Sequence, residues 1–311
     1  MMGKVAFVFP GQGSQFAGMG RDLADGYPEA RQVFERADAA LGENLSRLCF
    51  DGPEDRLKLT ANTQPAILTT SLAAFAVLAA RGIAFDGVAG HSLGEYSAIG
   101  AAGGLPVEDL VRTVRRRGQL MQEAVPVGVG AMSAVLGPAR DAVEAACRES
   151  SIGDEVVVAA NFNAPEQTVI AGRAGAVARA GVLLEERGAK RVVPLPVSAP
   201  FHSPLMRPAR EGLEPVLAAL DFKTLSVPLY SNVDAAPVTA GAAVRDGLVR
   251  QVDAPVRWVE LVQRMVADGF ASFVEVGPGS VLSGLVRRIA RDAATIQVGT
   301  AEQVAAFLAR S

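Results

Sequence analysis

Five apolar residues at 5–9, ending against Pro10, open the chain with a run that has no polar face. Such a run predicts a strand covered on both sides. Short apolar runs and longer helical stretches then alternate: helices over 29–41 and 65–81, a short strand over 86–90, and helical sequence from 92 to 121 broken at Gly103-Gly104-Leu105-Pro106. This rhythm predicts a parallel sheet with helices on both faces. After residue 127 the rhythm changes. Strands over 131–136, 155–160, 167–171 and 191–195 enclose helices over 138–150 and 174–187, the β-α-β-β-α-β order of a ferredoxin-like unit. The first rhythm then returns: Ser203-Pro204 as N-cap and first-turn proline of a helix to 220, strands over 227–230 and 271–276, and a helix over 280–291. The expected fold class is α/β, with a large parallel-sheet domain of residues 1–127 and 199–311 interrupted by a small ferredoxin-like domain of residues 128–198. A cleft at such a junction is a natural ligand site.

Composition narrows the possibilities. Half of the 311 residues are apolar and the net charge is −3, which excludes a disordered chain and a general nucleic-acid-binding surface. Only 4 of the 30 basic residues are Lys, so specific anion recognition falls to Arg. Two cysteines, Cys49 and Cys147, form neither a disulfide framework nor a metal cluster and suit a reducing cytoplasm. The apolar stretch 66–80 is interrupted by Thr69, Thr70 and Ser71 and reads as a buried helix, not a membrane span. The apolar start is too short for a signal-peptide core, so a cytoplasmic protein without membrane association is expected.

Gly90-His91-Ser92-Leu93-Gly94 is a G-x-S-x-G motif between strand-like and helix-compatible sequence. That context suits a sharp turn exposing a nucleophilic hydroxyl above a helix N-terminus, although a glycine-rich turn with Ser92 as an N-cap fits the same letters. A serine needs a base, and the chain has two histidines. His91 adjoins the serine, so its side chain should diverge into packing or hydrogen bonding. His202 remains, either as the base or as a satisfied loop histidine; an imidazole near its ordinary pKa of about 6.5 suits the task. An α/β-hydrolase orders its triad Ser, acid, His, with His near the C-terminus. That order fits poorly, since 109 residues follow His202. Gly11-Gln12-Gly13 is not a dinucleotide loop, because Phe16 stands where the third glycine is required.

Together these residues make the sequence resemble the malonyl-CoA:acyl carrier protein transacylase family over essentially its whole length. The landmarks are Phe9-Pro10-Gly11-Gln12-Gly13-Ser14-Gln15, Thr63-Gln64-Pro65-Ala66, Gly90-His91-Ser92-Leu93-Gly94-Glu95 and Arg117-Gly118-Gln119-Leu120-Met121. Asn163-Ala164-Pro165, Phe201-His202-Ser203 and Val274-Glu275-Val276-Gly277-Pro278-Gly279 complete them. The resemblance implies a hydrolase-like large domain, Ser92 and His202 as the catalytic pair, and the Gln12 and Leu93 amides as oxyanion hole. It makes Arg117 the malonyl carboxylate receptor and the Gln251 backbone carbonyl the support of His202. Gln64 and Asn163 become substrate-contact candidates. Leu93 and Phe201 go with malonyl over methylmalonyl, a methyl group being worth about 1–3 kcal/mol.

Three arginines run together at 115–117. On a helix they fan out about 100° apart, so one can enter a cleft while the other two are expected in solvent. The implied partners are malonyl-CoA and acyl carrier protein, with no metal or redox cofactor. Carrier docking would require a local basic patch, and Arg287, Arg288 and Arg291 or Lys190-Arg191 are candidates, none assigned. Competing readings are a polyketide-synthase acyltransferase acting in trans, a serine hydrolase, and a noncatalytic carrier-binding module.

Overall fold

The computed structural model describes residues 3–197 and 199–310. Its strands are β1 (Lys4–Phe9), β2 (Gly87–Gly90), β3 (Gly130–Leu136), β4 (Val157–Ala164), β5 (Gln167–Arg173), β6 (Arg191–Pro194), β7 (Leu229–Tyr230), β8 (Pro237–Val238), β9 (Phe270–Val276) and β10 (Ala294–Val298). Six of them form one sheet in the order β10-β9-β1-β2-β7-β8, parallel except at the edge strand β8. In the middle of this sheet, β1 divides its side chains by the two-residue period. Phe7 and Phe9 enter one apolar cluster and Ala6 and Val8 the other. Both faces are therefore covered, as the unbroken apolar run requires.

The remaining strands form an antiparallel sheet in the order β4-β5-β3-β6. Helices Arg140–Ser150 and Ala174–Glu186 cover it around Val135, Val143, Ile170, Val177 and Leu184, a ferredoxin-like arrangement. One backbone seam joins β4 to the segment before helix Trp258–Ala267: Phe162 N–H donates to Val256 O and Val256 N–H to Ala160 O, each at 2.9 Å.

The helix expected from residue 65 begins earlier, as Thr60–Ala80, and contains Pro65. Proline has no N–H to offer the carbonyl four residues back. That carbonyl, Ala61 O, instead accepts from Arg115 Nη1 at 2.7 Å. Arg115, which also pairs with Glu43 and Asn62, is therefore not the solvated side chain expected; its neighbour Arg116 is the half-exposed one. Helix Thr60–Ala80 is long and apolar enough to span a bilayer, but 78% of its apolar window is buried inside the protein. Helix Val107–Glu123 crosses it closely: a Cβ on Gly118 would stand 2.7 Å from Thr60 O and 2.8 Å from Ala61 Cα.

Two other expectations change. The segment after Ser203 opens as a 3-10 turn, Pro204–Met206, before helix Arg207–Ala218, and the Ser203 hydroxyl donates to Pro200 O at 2.7 Å instead of capping. The helix expected to run to 291 is Val281–Ile289, so Arg291 lies outside it and shares no helical face with Arg287. Glu275 explains where that helix starts, since its two oxygens accept the N–H groups of Leu282 and Ser283 at 3.0 and 2.7 Å.

Candidate active site

Three adjacent parallel strands deliver residues to one point from their C-terminal ends, where open parallel sheets place ligands. Gln12 follows β1, Ser92 follows β2 and Asn232 follows β7. The turn after β2 is tight. A Cβ on Gly90 would lie 1.9 Å from the Gly94 carbonyl carbon, and one on Gly94 would lie 2.0 Å from Phe9 O. Between these glycines Ser92 is held at φ 51, a left-handed conformation costing a non-glycine residue about 1–3 kcal/mol. Asn232 supports the turn, accepting Ser92 N–H at 2.7 Å and donating to Gly90 O at 2.6 Å.

His202, itself at φ 59, meets the serine from a segment far along the chain. Ser92 Oγ and His202 Nε2 are 2.7 Å apart, and His202 Nδ1 lies 2.9 Å from the Gln251 backbone oxygen. A carbonyl can only accept, so Nδ1 carries the ring proton and Nε2 is left to take the hydroxyl proton. Burial first, and the Arg117 charge second, push the imidazole down to about 3, far from the ordinary value expected of it. His91 turns away, donating to Asn163 Oδ1 at 2.8 Å and packing near Trp258.

Arg117 is 2% exposed, and among the described residues its guanidinium has no carboxylate hydrogen-bond partner. Nη1 donates to Gln64 Oε1 at 2.8 Å; Nη2 donates to Gln251 Oε1 at 2.9 Å and to Ser92 Oγ at 3.2 Å. Its Nε is buried without an acceptor, and the guanidinium lies 5.4 Å from the Tyr96 ring centre. A buried cation held only by neutral acceptors is prepared for an anion. Among the described residues, no acceptor engages the backbone N–H of Gln12 or Leu93. Both residues face the same cavity of about 160 Å³ as Ser92, His202, Arg117, Gln64 and Phe201. Met132 from β3, Asn161 and Asn163 from β4 and Val169 from β5 form the opposite wall, so the cavity lies between the two sheets.

Some contributors were not expected. Asn232 and the Gln251 side chain both hold the nucleophile, and Glu95, placed only as a motif letter, is buried behind them. Asn232 carries one usable signal: the polar pair Ser231-Asn232 ends a short apolar segment, as a strand end lining a site would.

The acyl transferase domain family matches residues 6–306 of the chain. A malonyl CoA-acyl carrier protein transacylase of Bacillus subtilis (strain 168) is 48% identical over 303 residues, covering 97% of this chain and 96% of that protein. The crystal structure of an acyl carrier protein S-malonyltransferase from Vibrio cholerae superposes with a TM-score of 0.95 at 46% identity, over 98% of this chain and 99% of that one. A malonyl-transacylase solved in complex with a type II polyketide-synthase acyl carrier protein superposes at 0.96 with 42% identity, over 99% of this chain and 100% of that one.

Proposed function

Because the chain belongs to the acyl transferase family, among its malonyl-CoA:acyl carrier protein transacylases, we propose that it moves malonyl from malonyl-CoA to the carrier's phosphopantetheine thiol by way of an ester on Ser92. The observation that carries this is the convergence on one hydroxyl: His202 Nε2 at 2.7 Å and Arg117 Nη2 at 3.2 Å from Ser92 Oγ. An alcohol, a base and an anion receptor meet in one cavity. Ser92 Oγ attacks the thioester carbonyl while His202 Nε2 takes its proton. The Gln12 and Leu93 amides receive the oxyanion, each such donor typically contributing about 3–4 kcal/mol. The carbon–sulfur bond then breaks, and the imidazolium returns its proton to the departing CoA thiolate. The carrier thiol enters and reverses the sequence, a ping-pong cycle that uses only side chains and amides of this protein and needs no cofactor.

Arg117 would act twice. Its guanidinium receives the malonyl carboxylate, with Gln64 and Gln251 fixing its plane. The arriving anion also offsets the Arg117 charge, the second cause after burial that holds His202 at about 3, so the substrate raises the basicity of its own general base. Phe201 and Leu93 border the acyl group and crowd an α-methyl substituent, while Asn163 acts through His91. The unpaired buried thiols of Cys49 and Cys147 suit a cytoplasmic setting. Fatty-acid synthesis is the pathway this reading assigns. Service to a polyketide carrier is the second reading, favoured by the likeness to the transacylase solved with such a carrier.

Intact-mass measurement tests the proposal. Malonyl-CoA should add about 86 Da to the enzyme and nothing to Ser92→Ala. The adduct should persist until a carrier thiol is supplied. Steady release of CoA without any acceptor would identify a hydrolase, and an unchanged mass a binding module.

A further inference from the structure

Glu95 lies three residues after the nucleophile and is only 1% exposed. Its Oε2 accepts from Gln251 Nε2 at 2.7 Å and from the Asn232 backbone N–H at 3.3 Å. Gln251 Nε2 also donates to Ser92 O at 2.9 Å, while its Oε1 accepts from Arg117 at 2.9 Å. A carboxamide has one donating and one accepting end, whereas a carboxylate only accepts. Glu95 therefore holds the NH2 end toward itself and turns the carbonyl toward the guanidinium. The reverse orientation would set donor against donor at Arg117 and oxygen against oxygen at Glu95. We propose that Glu95 is the positioning residue for malonyl selectivity, aiming Arg117 through the orientation of the Gln251 amide. This rests on the reading that Arg117 receives the malonyl carboxylate.

Glu95 also borders a second cavity of about 280 Å³ that shares no lining residue with the substrate cavity. Exposed Asp234, Asp246 and Arg250 contribute to it, giving protons a path to the carboxyl that does not cross the substrate. The charged and titratable groups around Glu95 are Arg117 from helix Val107–Glu123, Asp234 after β7, Arg250 from helix Gly241–Gln251 and Tyr96 beside it. Burial raises the carboxyl to about 7 against the opposing pull of Gln251, Asn232 and Arg117. Protonation near neutrality lets the acid donate as well as accept, which frees the amide to turn.

The experiment compares rates of malonyl and acetyl ester formation on Ser92, by rapid quench and intact mass, in wild type and Glu95→Gln on both sides of neutral pH. A glutamine at 95 can present either end, so malonyl acylation should fall at least about tenfold further than acetyl acylation, whose loss reflects only the Gln251 bond to Ser92 O. The wild-type malonyl-to-acetyl ratio should fall as pH drops through about 7, and that of the variant should stay low and flat. Parallel losses for both acyl groups, or an unchanged ratio, would overturn the proposal. If Glu95→Gln does not fold, Glu95→Asp decides by the same ratio, because its shortened carboxylate should give an intermediate value. Wild type that forms no malonyl ester overturns the reading of Arg117 itself, an outcome distinct from any result with the variants.

Discussion

Arg117 illustrates how one side chain can separate two acyl groups of similar size. Truncating one partner of a buried charge pair costs about 2–5 kcal/mol, so Arg117→Ala should lower malonyl kcat/KM by about 30-fold or more. Acetyl transfer should be spared or improved, since the change also removes a charge that depresses His202. Equal losses in a two-substrate acylation assay would reject this role for the guanidinium. At this scale, residues with unusual chemistry were legible in the sequence: a serine in a glycine turn, one unassigned histidine, an arginine in a recognisable string. Glu95, Asn232 and the Gln251 amide were not legible, because their work lies in which end of a group faces which neighbour. That information arises only when distant strands are brought side by side.

Helix placement carries the guanidinium to the serine, and Gly118 decides how near helix Val107–Glu123 can come. Gly118→Ala puts a methyl group against the Thr60–Ala61 backbone, which cannot swing aside as a side chain could. Destabilisation of about 1–3 kcal/mol is expected, together with a higher malonyl KM as Arg117 moves with its helix; thermal melts and steady-state kinetics would show both. An unchanged KM would mean that the neighbouring helix yields instead. Periodicity revealed the long elements but misjudged the start of Thr60–Ala80, because proline normally marks a first turn and here sits inside the helix. The orphaned Ala61 carbonyl is satisfied from another helix, by Arg115. Strand β7 falls within the strand read at 227–230, whereas β8, two residues long, is too short to show a period, and the pattern assigns no element to helices Gly241–Gln251 and Trp258–Ala267.

For the molecule as a whole, the cavity depends on how the antiparallel sheet is held against the rest of the protein. Val256 provides one seam, with its N–H on Ala160 and its O accepting from Phe162. Val256→Pro removes the donor and leaves the Ala160 carbonyl unsatisfied, at a cost of about 1–3 kcal/mol. Amide exchange at 160–162 should rise and malonyl kcat/KM fall. Unaltered exchange there would show that the seam does not hold the wall in place. The alternation of elements made both sheets legible, whereas nothing in it indicated which backbone groups would join them. The strand order has a further effect during synthesis. β1 leaves the ribosome long before its neighbour β9, which begins only at Phe270. Until β9 has been made, one edge of the central strand stays unpaired and open to wrong partners. Nascent chains that stall before that point should therefore recruit chaperones, and every truncated product should be both inactive and prone to aggregate.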